Sequence, residues 1–212
     1  MISFLELKMS AKSMIRGRLG EFGKILLLML ATSILINTII PGDSDSMIKS
    51  LLSSGIMYVF FIGIYYVTLE LAKNNNFTFN DCFYGFKNFS RVAMLYVYKV
   101  VFVTLWTFLL IIPGLIKLIS YGMAEFILID NPEMSPLDAI TASRKMMVGH
   151  KLEFFMLSLS FIGWSLFAII TFGVGIFYVA PYMNQTFANY YLKLKSLDNT
   201  NGNIVNNVAK EA

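Results

Sequence analysis

The sequence predicts an all-α fold, a polytopic transmembrane helical bundle of about six spans with interfacial amphipathic helices, and three observations predict it. The 212 residues are 57% hydrophobic and only 14% charged, whereas a soluble domain carries about 25% charged residues. The apolar residues fall in long blocks and do not alternate with polar ones, which excludes an ordinary soluble core. Lys and Arg gather in alternate connections between those blocks, the arrangement that orients a multi-span chain. Residues 1–195 form a single transmembrane domain on this reading, and 196–212 a flexible polar cytoplasmic tail.

Taken in order, the chain opens with an interfacial helix at 4–19. Leu7, Ala11, Met14 and Ile15 share one face, and Lys8, Lys12 and Arg16 line another, as expected of a helix lying on a membrane surface. Spans follow at 22–40 and 51–72, turning at Pro41-Gly42. A second interfacial helix at 78–90 sets Phe79, Phe83 and Phe86 against Asn80, Lys87 and Arg91, and opens with the capping pair Thr78 and Asp81. The third span, 92–112, reaches the turn Pro113-Gly114. The fourth block, 115–129, is short and carries Lys117 and Glu125. It fits either a tilted short span or a re-entrant segment held inside the bundle. A third interfacial helix at 135–149, capped by Ser135 with Asp138, sets Leu137, Ile140 and Met147 against Asp138, Thr141 and Lys145. The last spans are 152–170 and 174–192, turning at Phe172-Gly173, with Pro181 breaking the sixth.

The basic residues orient the bundle. Lys8, Lys12, Arg16, Arg18, Lys24, Lys73, Lys87, Arg91, Arg144, Lys145, Lys151, Lys193, Lys195 and Lys210 all fall on one side of a six-span chain. The other side has only Lys49, beside Asp43 and Asp45. The basic side is therefore expected in the cytoplasm with both termini, in the cell membrane. The charged leader through Lys24 is long for a cleaved signal peptide, and no small-x-small site precedes Pro41; the first block reads as an uncleaved span.

The three segments also resemble one another. At an offset of 132, Met14 falls on Met146, Gly17 on Gly149, Glu21 on Glu153 and Phe22 on Phe154, with Arg18 on His150. Ile39-Ile40-Pro41-Gly42 recurs as Ile111-Ile112-Pro113-Gly114. Three repeats of interfacial helix plus hairpin would produce this, and so would the general habit of membrane proteins to hold basic helices inside and Pro-Gly in turns. Both readings stand at the level of sequence.

The C-terminal half carries a family resemblance. Ile112-Pro113-Gly114, Ser120-Tyr121, Met123-Ala124, Asp130-Asn131-Pro132, Ala139-Ile140, Ser143-Arg144, Met147 and Gly149-His150-Lys151, then Phe161-Ile162-Gly163-Trp164 and Pro181-Tyr182, resemble the bacterial integral membrane family catalogued as domain of unknown function 975. The resemblance extends over nearly the whole chain and is weaker at the N-terminus. It implies a multi-span membrane protein, mostly from Gram-positive bacteria, and brings no catalytic residues or substrate.

Candidate chemistry is sparse. His150 is the sole histidine, so no histidine pair can hold zinc. Cys82, on a Phe-rich face, reads as a small buried hydrophobe. Asp130-Asn131-Pro132-Glu133 reads as a loop and cap. No catalytic residue, metal site or cofactor is expected. Lys99, Glu125, Asn184, Gln185 and Asn189 form the candidate intramembrane polar site, because such groups need partners in an apolar layer. Lys99 and Glu125, on consecutive antiparallel spans, are expected either to pair or to snorkel separately. Lys117 is expected to snorkel outward from near the outer turn. Lys8, Lys12, Arg16, Arg18, Lys87, Arg91, Arg144, Lys145, His150 and Lys151 are expected at anionic inner-leaflet headgroups of the lipid bilayer, not on nucleic acid. Three function classes follow: a non-enzymatic component supporting the envelope or another membrane protein, a small transporter or permease-like protein, and a lipid-active enzyme. The first leads, because a reaction centre is missing from the motifs.

Overall fold

A backbone surrounded by apolar side chains must satisfy its own N–H and C=O groups, and helices do so within each segment. The computed structural model describes residues 3–39, 47–109 and 111–201, which are helix and connecting turn throughout, with no strand among them. The helices are α1 (Phe4–Ile15), α2 (Leu19–Ile39), α3 (Met47–Ala72), a 3-10 turn (Phe79–Phe83) leading into α4 (Tyr84–Lys87), α5 (Phe89–Leu109), α6 (Ile111–Ser120), α7 (Ala124–Asp130), α8 (Pro136–Met146), α9 (Lys151–Leu159), α10 (Ile162–Ile170) and α11 (Ile176–Asn201).

Four stretches are long and apolar enough to cross a membrane: Leu19–Ile36, Lys49–Ala72, Phe89–Phe108 and Lys151–Ile170. Six were expected, and the two that length and composition do not support have identifiable causes. The fourth block is not one helix, because α6 stops at Ser120 and α7 starts at Ala124. The sixth, α11, carries Asn184, Gln185 and Asn189 and then continues into a polar stretch. Pro181 does not break it. The helix runs through the proline to Asn201, so residues 196–201 are helical where a flexible tail was expected. Residues 202–212 and the expected turn at Pro41-Gly42 lie outside the described residues.

Other boundaries also move. α5 ends at Leu109 and α6 begins at Ile111, so Pro113 and Gly114 belong to the first turn of α6. Proline is tolerated there because first-turn N–H groups lack helical partners anyway. Gly114 is needed for contact: a Cβ there would lie 2.3 Å from Thr107 Oγ1 of α5. The expected fifth span divides at Ser160-Phe161 into α9 and α10. The expected helix at 78–90 is a 3-10 turn and a single α-turn, capped at Thr78 by Asp81.

The expected interfacial helices are wedged into the bundle. Leu7, Ala11 and Ile15 of α1 are buried where α1 packs on α11 and α3. Cys82 and Gly85 are buried on α3, and Ala139, Ile140, Ala142, Ser143 and Met146 of α8 are buried where it packs on α7 and α5. These contacts place much of the core around Phe126, Ile127, Tyr190 and Tyr191. The hairpin tips differ sharply. No residue of α10 is buried, and Phe108 and Phe172 are 93% and 98% exposed. Contiguous apolar surface of this kind requires lipid or protein against it.

The seat of the 3-10 turn on α3 is decided by Gly63, where a Cβ would fall 1.8 Å from the backbone oxygen of Cys82. Gly63→Ala is expected to lower thermal stability in detergent by about 1–3 kcal/mol, the usual cost of overpacking. Gly55→Ala, whose Cβ would meet only Tyr96 Cε1 at 3.7 Å, should be neutral or slightly stabilising, since Ala is the better helix former. Equal melting temperatures for the two variants would refute this account of the contact.

Candidate functional site

Asp130 ends α7. A carboxylate there meets the negative end of the helix dipole and needs cations nearby. It has them. Lys73, just beyond α3, lies 2.6 Å from Oδ1. Lys195 of α11 pairs with Oδ2, and Tyr191 Oη donates to the same oxygen at 2.8 Å. The side chain of Asp130 is 5% exposed. Burial works against its charge, but the bonds from Lys195, Lys73 and Tyr191 outweigh it and hold the carboxyl below its ordinary range. Burial likewise opposes the Lys73 charge, and the bonds to Asp130 and Glu70 reverse the sign, raising that ammonium above its usual value.

Arg91 of α5 completes the clasp by donating to the carbonyls of Asn131 at 3.0 Å and Met134 at 2.7 Å. These acceptors are at and just beyond the α7 C-terminus, where backbone carbonyls lack helical partners. The sequence pattern reads Asp130-Asn131 as a loop, Arg91 as a headgroup contact, Lys73 and Lys195 only as charges that orient the bundle and Tyr191 as an interfacial aromatic, and assigns none of them to a common site. The available signal was an acid at the C-terminal end of a helix, which is misplaced unless paired.

A second polar centre lies at the other end of α7. Glu125, in the first turn of α7, is 3% exposed. Lys99 of α5 pairs with its Oε1, and Tyr58 Oη of α3 donates to the same atom at 2.9 Å. Just before it, the break between α6 and α7 leaves backbone groups to satisfy. Ser143 of α8 meets both sides of that break: its hydroxyl donates to Ser120 O at 2.8 Å and accepts from Met123 N at 3.2 Å. The break in the fifth block is met similarly by α1, whose Lys8 Nζ donates to Ser160 O at 3.3 Å and lies 4.5 Å from the Phe161 ring centroid.

The remaining members of the expected polar site do not join Lys99 and Glu125. Gln185 Nε2 donates to Thr68 O at 3.1 Å and to Asn189 Oδ1 at 3.2 Å. Asn189 Nδ2 reaches Ser10 Oγ of α1 at 3.4 Å. Asn184 bonds within its own helix, to Ala180 O at 2.9 Å. Beside Asn189, a cleft of about 560 Å³ opens between α1 and α11, lined among others by Glu6, Ser10, Met14 and Lys193.

The expected headgroup cations divide. Lys8 and Arg91 are engaged inside the molecule, and Arg18 donates to Asn76 Oδ1 at 3.0 Å while lying over the Phe77 ring. His150 Nδ1 is 3.0 Å from Glu153 Oε2. Lys12, Arg16, Lys87, Arg144 and Lys145 are exposed, and Lys151 is half-buried. Lys117, outside both sets, lies 4.3 Å from the Trp106 ring centroid. Among the described residues, no group of three or more His, Cys, Asp or Glu could hold a metal ion.

A family model described as "Protein of unknown function (DUF975)" matches residues 1–124 and 108–198. No curated protein and no solved structure matches the chain.

Two outcomes follow from this geometry. Because the Asp130 pKa is depressed on folding, its contribution is complete above the unfolded carboxylate value, about 4, and is lost as pH falls through the lower folded value. Asp130→Asn should cost about 3 kcal/mol at pH 7, and melting curves from pH 7 to 3 should show a smaller acid-induced drop than the wild type. An identical drop would remove Asp130 from the account. For the other centre, Lys99→Glu and Glu125→Lys should each impair folding and the double exchange should restore it, read as monodisperse yield after extraction. Additive defects would mean that the contact contributes nothing as a pair.

Proposed function

The chain belongs to the family described as Protein of unknown function (DUF975), and we propose that it works as a non-enzymatic, multi-pass component of the bacterial cell membrane. On this reading it supports the envelope, or another membrane protein, through its helical surface. One contrast carries the proposal. Two buried carboxylates are bound to cations inside the molecule, Asp130 by Lys73 and Lys195 and Glu125 by Lys99. The flanks are open and apolar: only 11% of the stretch Phe89–Phe108, and 11% of Lys151–Ile170, is buried within the molecule. A surface of that character suits acyl chains and the helices of a second membrane protein.

We further propose six crossings, counting α6–α7 and α11, with both termini in the cytoplasm. The basic asymmetry of the sequence supports the orientation. Exposed Lys12, Arg16, Lys87, Arg144 and Lys145 then face anionic inner-leaflet headgroups, each contributing about 1 kcal/mol.

The arrangement of the helices supports three repeated units as well. Ser3 caps α1 and Ser135 caps α8, again at an offset of 132. Gly17 and Gly149 both take positive φ, 85° and 81°, a conformation that costs other residues about 1–2 kcal/mol. Leu7, Ala11 and Ile15 are buried, as are Ala139, Ser143 and Met147 at the same offset. Each wedged segment packs on the last helix of the unit before it, cyclically: α1 on α11, the 3-10 turn and α4 on α3, and α8 on α7.

The transporter reading is favoured by a separate observation, the two interrupted helices with a charged pair beside one break, since discontinuous helices often hold substrate or ions. Cysteine accessibility tests both matters at once. In a Cys82→Ala background, single cysteines at Asn88, Asn131 and Ser196 should react with impermeant reagents only from the cytoplasm, one at Asp45 only from outside, and one at Tyr121 from neither. Reaction of Asn131 from outside together with Ser196 from inside defeats six crossings. Reaction at Tyr121 turns the reading to the transporter.

A further inference from the structure

Two arginines stand in the short turn between the first wedged helix and the first long one. α1 ends at Ile15 and α2 begins at Leu19, and Arg16 and Arg18 flank Gly17 between them. Both line a cleft of about 330 Å³, whose other polar walls are Ser13 of α1 and Asn74 and Asn75 just beyond α3. Arg18 is fixed in place, donating to Asn76 Oδ1 at 3.0 Å and lying over the Phe77 ring. Arg16 is exposed and, among the described residues, has no hydrogen bond or ion pair. Among the described residues that line the cleft there is no carboxylate. Glu70, near the end of α3, is taken by Asn75 Nδ2 at 2.7 Å and by Lys73 at 3.4 Å.

A second cleft, of about 230 Å³, occupies the matching place beside α8 and α11. At the offset of 132, Ser13 falls on Lys145, Arg16 on Val148 and Arg18 on His150; at an offset of 123, Asn74 falls on Leu197 and Asn75 on Asp198. In the second cleft the protein supplies its own anions. Asp198 lines the wall, and Glu153 lies 3.0 Å from His150. The first cleft has neither. Asn75 stands in place of the acid, and Glu21, the counterpart of Glu153, is drawn to Lys24 at 2.7 Å. Lys24 stands where the third segment has Met156.

Two guanidiniums therefore share one polar cleft without an anion of the protein's own to answer them. A guanidinium matches phosphate oxygens with paired N–H donors, and the Asn and Ser side chains offer further donors that carry no charge. We propose that this cleft binds a phosphate group carrying two negative charges, borne by a lipid phosphomonoester headgroup or by free phosphate. Arg18 is placed in advance by Asn76 and Phe77, and Arg16 keeps its donors for the ligand. A phosphodiester brings a single charge and leaves one guanidinium unanswered. The inference deepens the headgroup reading of Arg16 given above, and its lipid form rests on that reading.

Calorimetric titration of the whole protein in detergent with inorganic phosphate, at constant ionic strength, tests the cleft. Saturable binding is expected, weakened about tenfold or more by Arg16→Gln and equally by Asn74→Asp, which sets a carboxylate in the wall. Asn74 has a φ of 61°, which Asp tolerates, so the second variant serves if the first does not fold. The pair Lys12→Gln and Lys87→Gln removes two exposed charges elsewhere and should change the affinity less than about twofold. Lipid retained from vesicles of equal parts phosphatidic acid and phosphatidylglycerol separates the sources. A lipid ligand gives a preference for the monoester that Asn74→Asp abolishes; free phosphate gives binding in detergent without that preference. Absence of both phosphate binding and lipid preference overturns the site, and so does equal weakening by the lysine pair. An error in the proposed orientation would appear in the cysteine labelling and leave the detergent titration unchanged.

Discussion

The Asp130 carboxylate has to be neutralised where it stands, and much of the arrangement follows from that requirement. It sits at the unfavourable end of a short helix with its side chain largely buried. Two lysines and a tyrosine from opposite parts of the sequence meet it, and these draw the end of α3 and the C-terminal part of α11 onto α7. Arg91 fastens α5 to the same place through the backbone carbonyls left free there. Removing water from this cluster strengthens each of its interactions and raises the cost of leaving any partner out.

A related constraint explains why the amphipathic segments are wedged in. Interrupting a helix among apolar side chains leaves backbone groups that cannot turn to water. α8 brings Ser143 to the gap between α6 and α7, and α1 brings Lys8 to the gap between α9 and α10. The helices that resemble surface anchors in their pattern therefore also act as plugs. Their apolar faces meet neighbouring helices because the polar group must reach the interruption. The buried pair at Glu125 lies directly after one of these gaps, at the start of a short helix held at its other end by Asp130.

Much of this could be read from particular residues. The long blocks around Leu26, Phe60 and Phe102, the Ser135 and Thr78 caps, and the proximity of Lys99 to Glu125 all rest on local period or on the adjacency of consecutive helices. Other features were out of reach. The expectation that Asn184, Gln185 and Asn189 would join Lys99 relied on shared polarity, yet side-chain direction sends Gln185 and Asn189 toward α1 and α3. The Pro113-Gly114 dipeptide looked like a reversal. It is the start of α6, with its glycine there for the close approach of Thr107.

The sequence by itself determined the helical class, the apolar blocks, the capping residues and the uneven placement of positive charge, since each depends on composition or on spacing along one segment. Tertiary structure alone decided where the interruptions fall, what satisfies them and which distant cations meet Asp130. Those outcomes depend on contacts between residues as far apart as Lys8 and Ser160 or Lys73 and Asp130. No local pattern encodes them, because the energy of an unpaired charge or backbone group is settled only when the surrounding helices are in place.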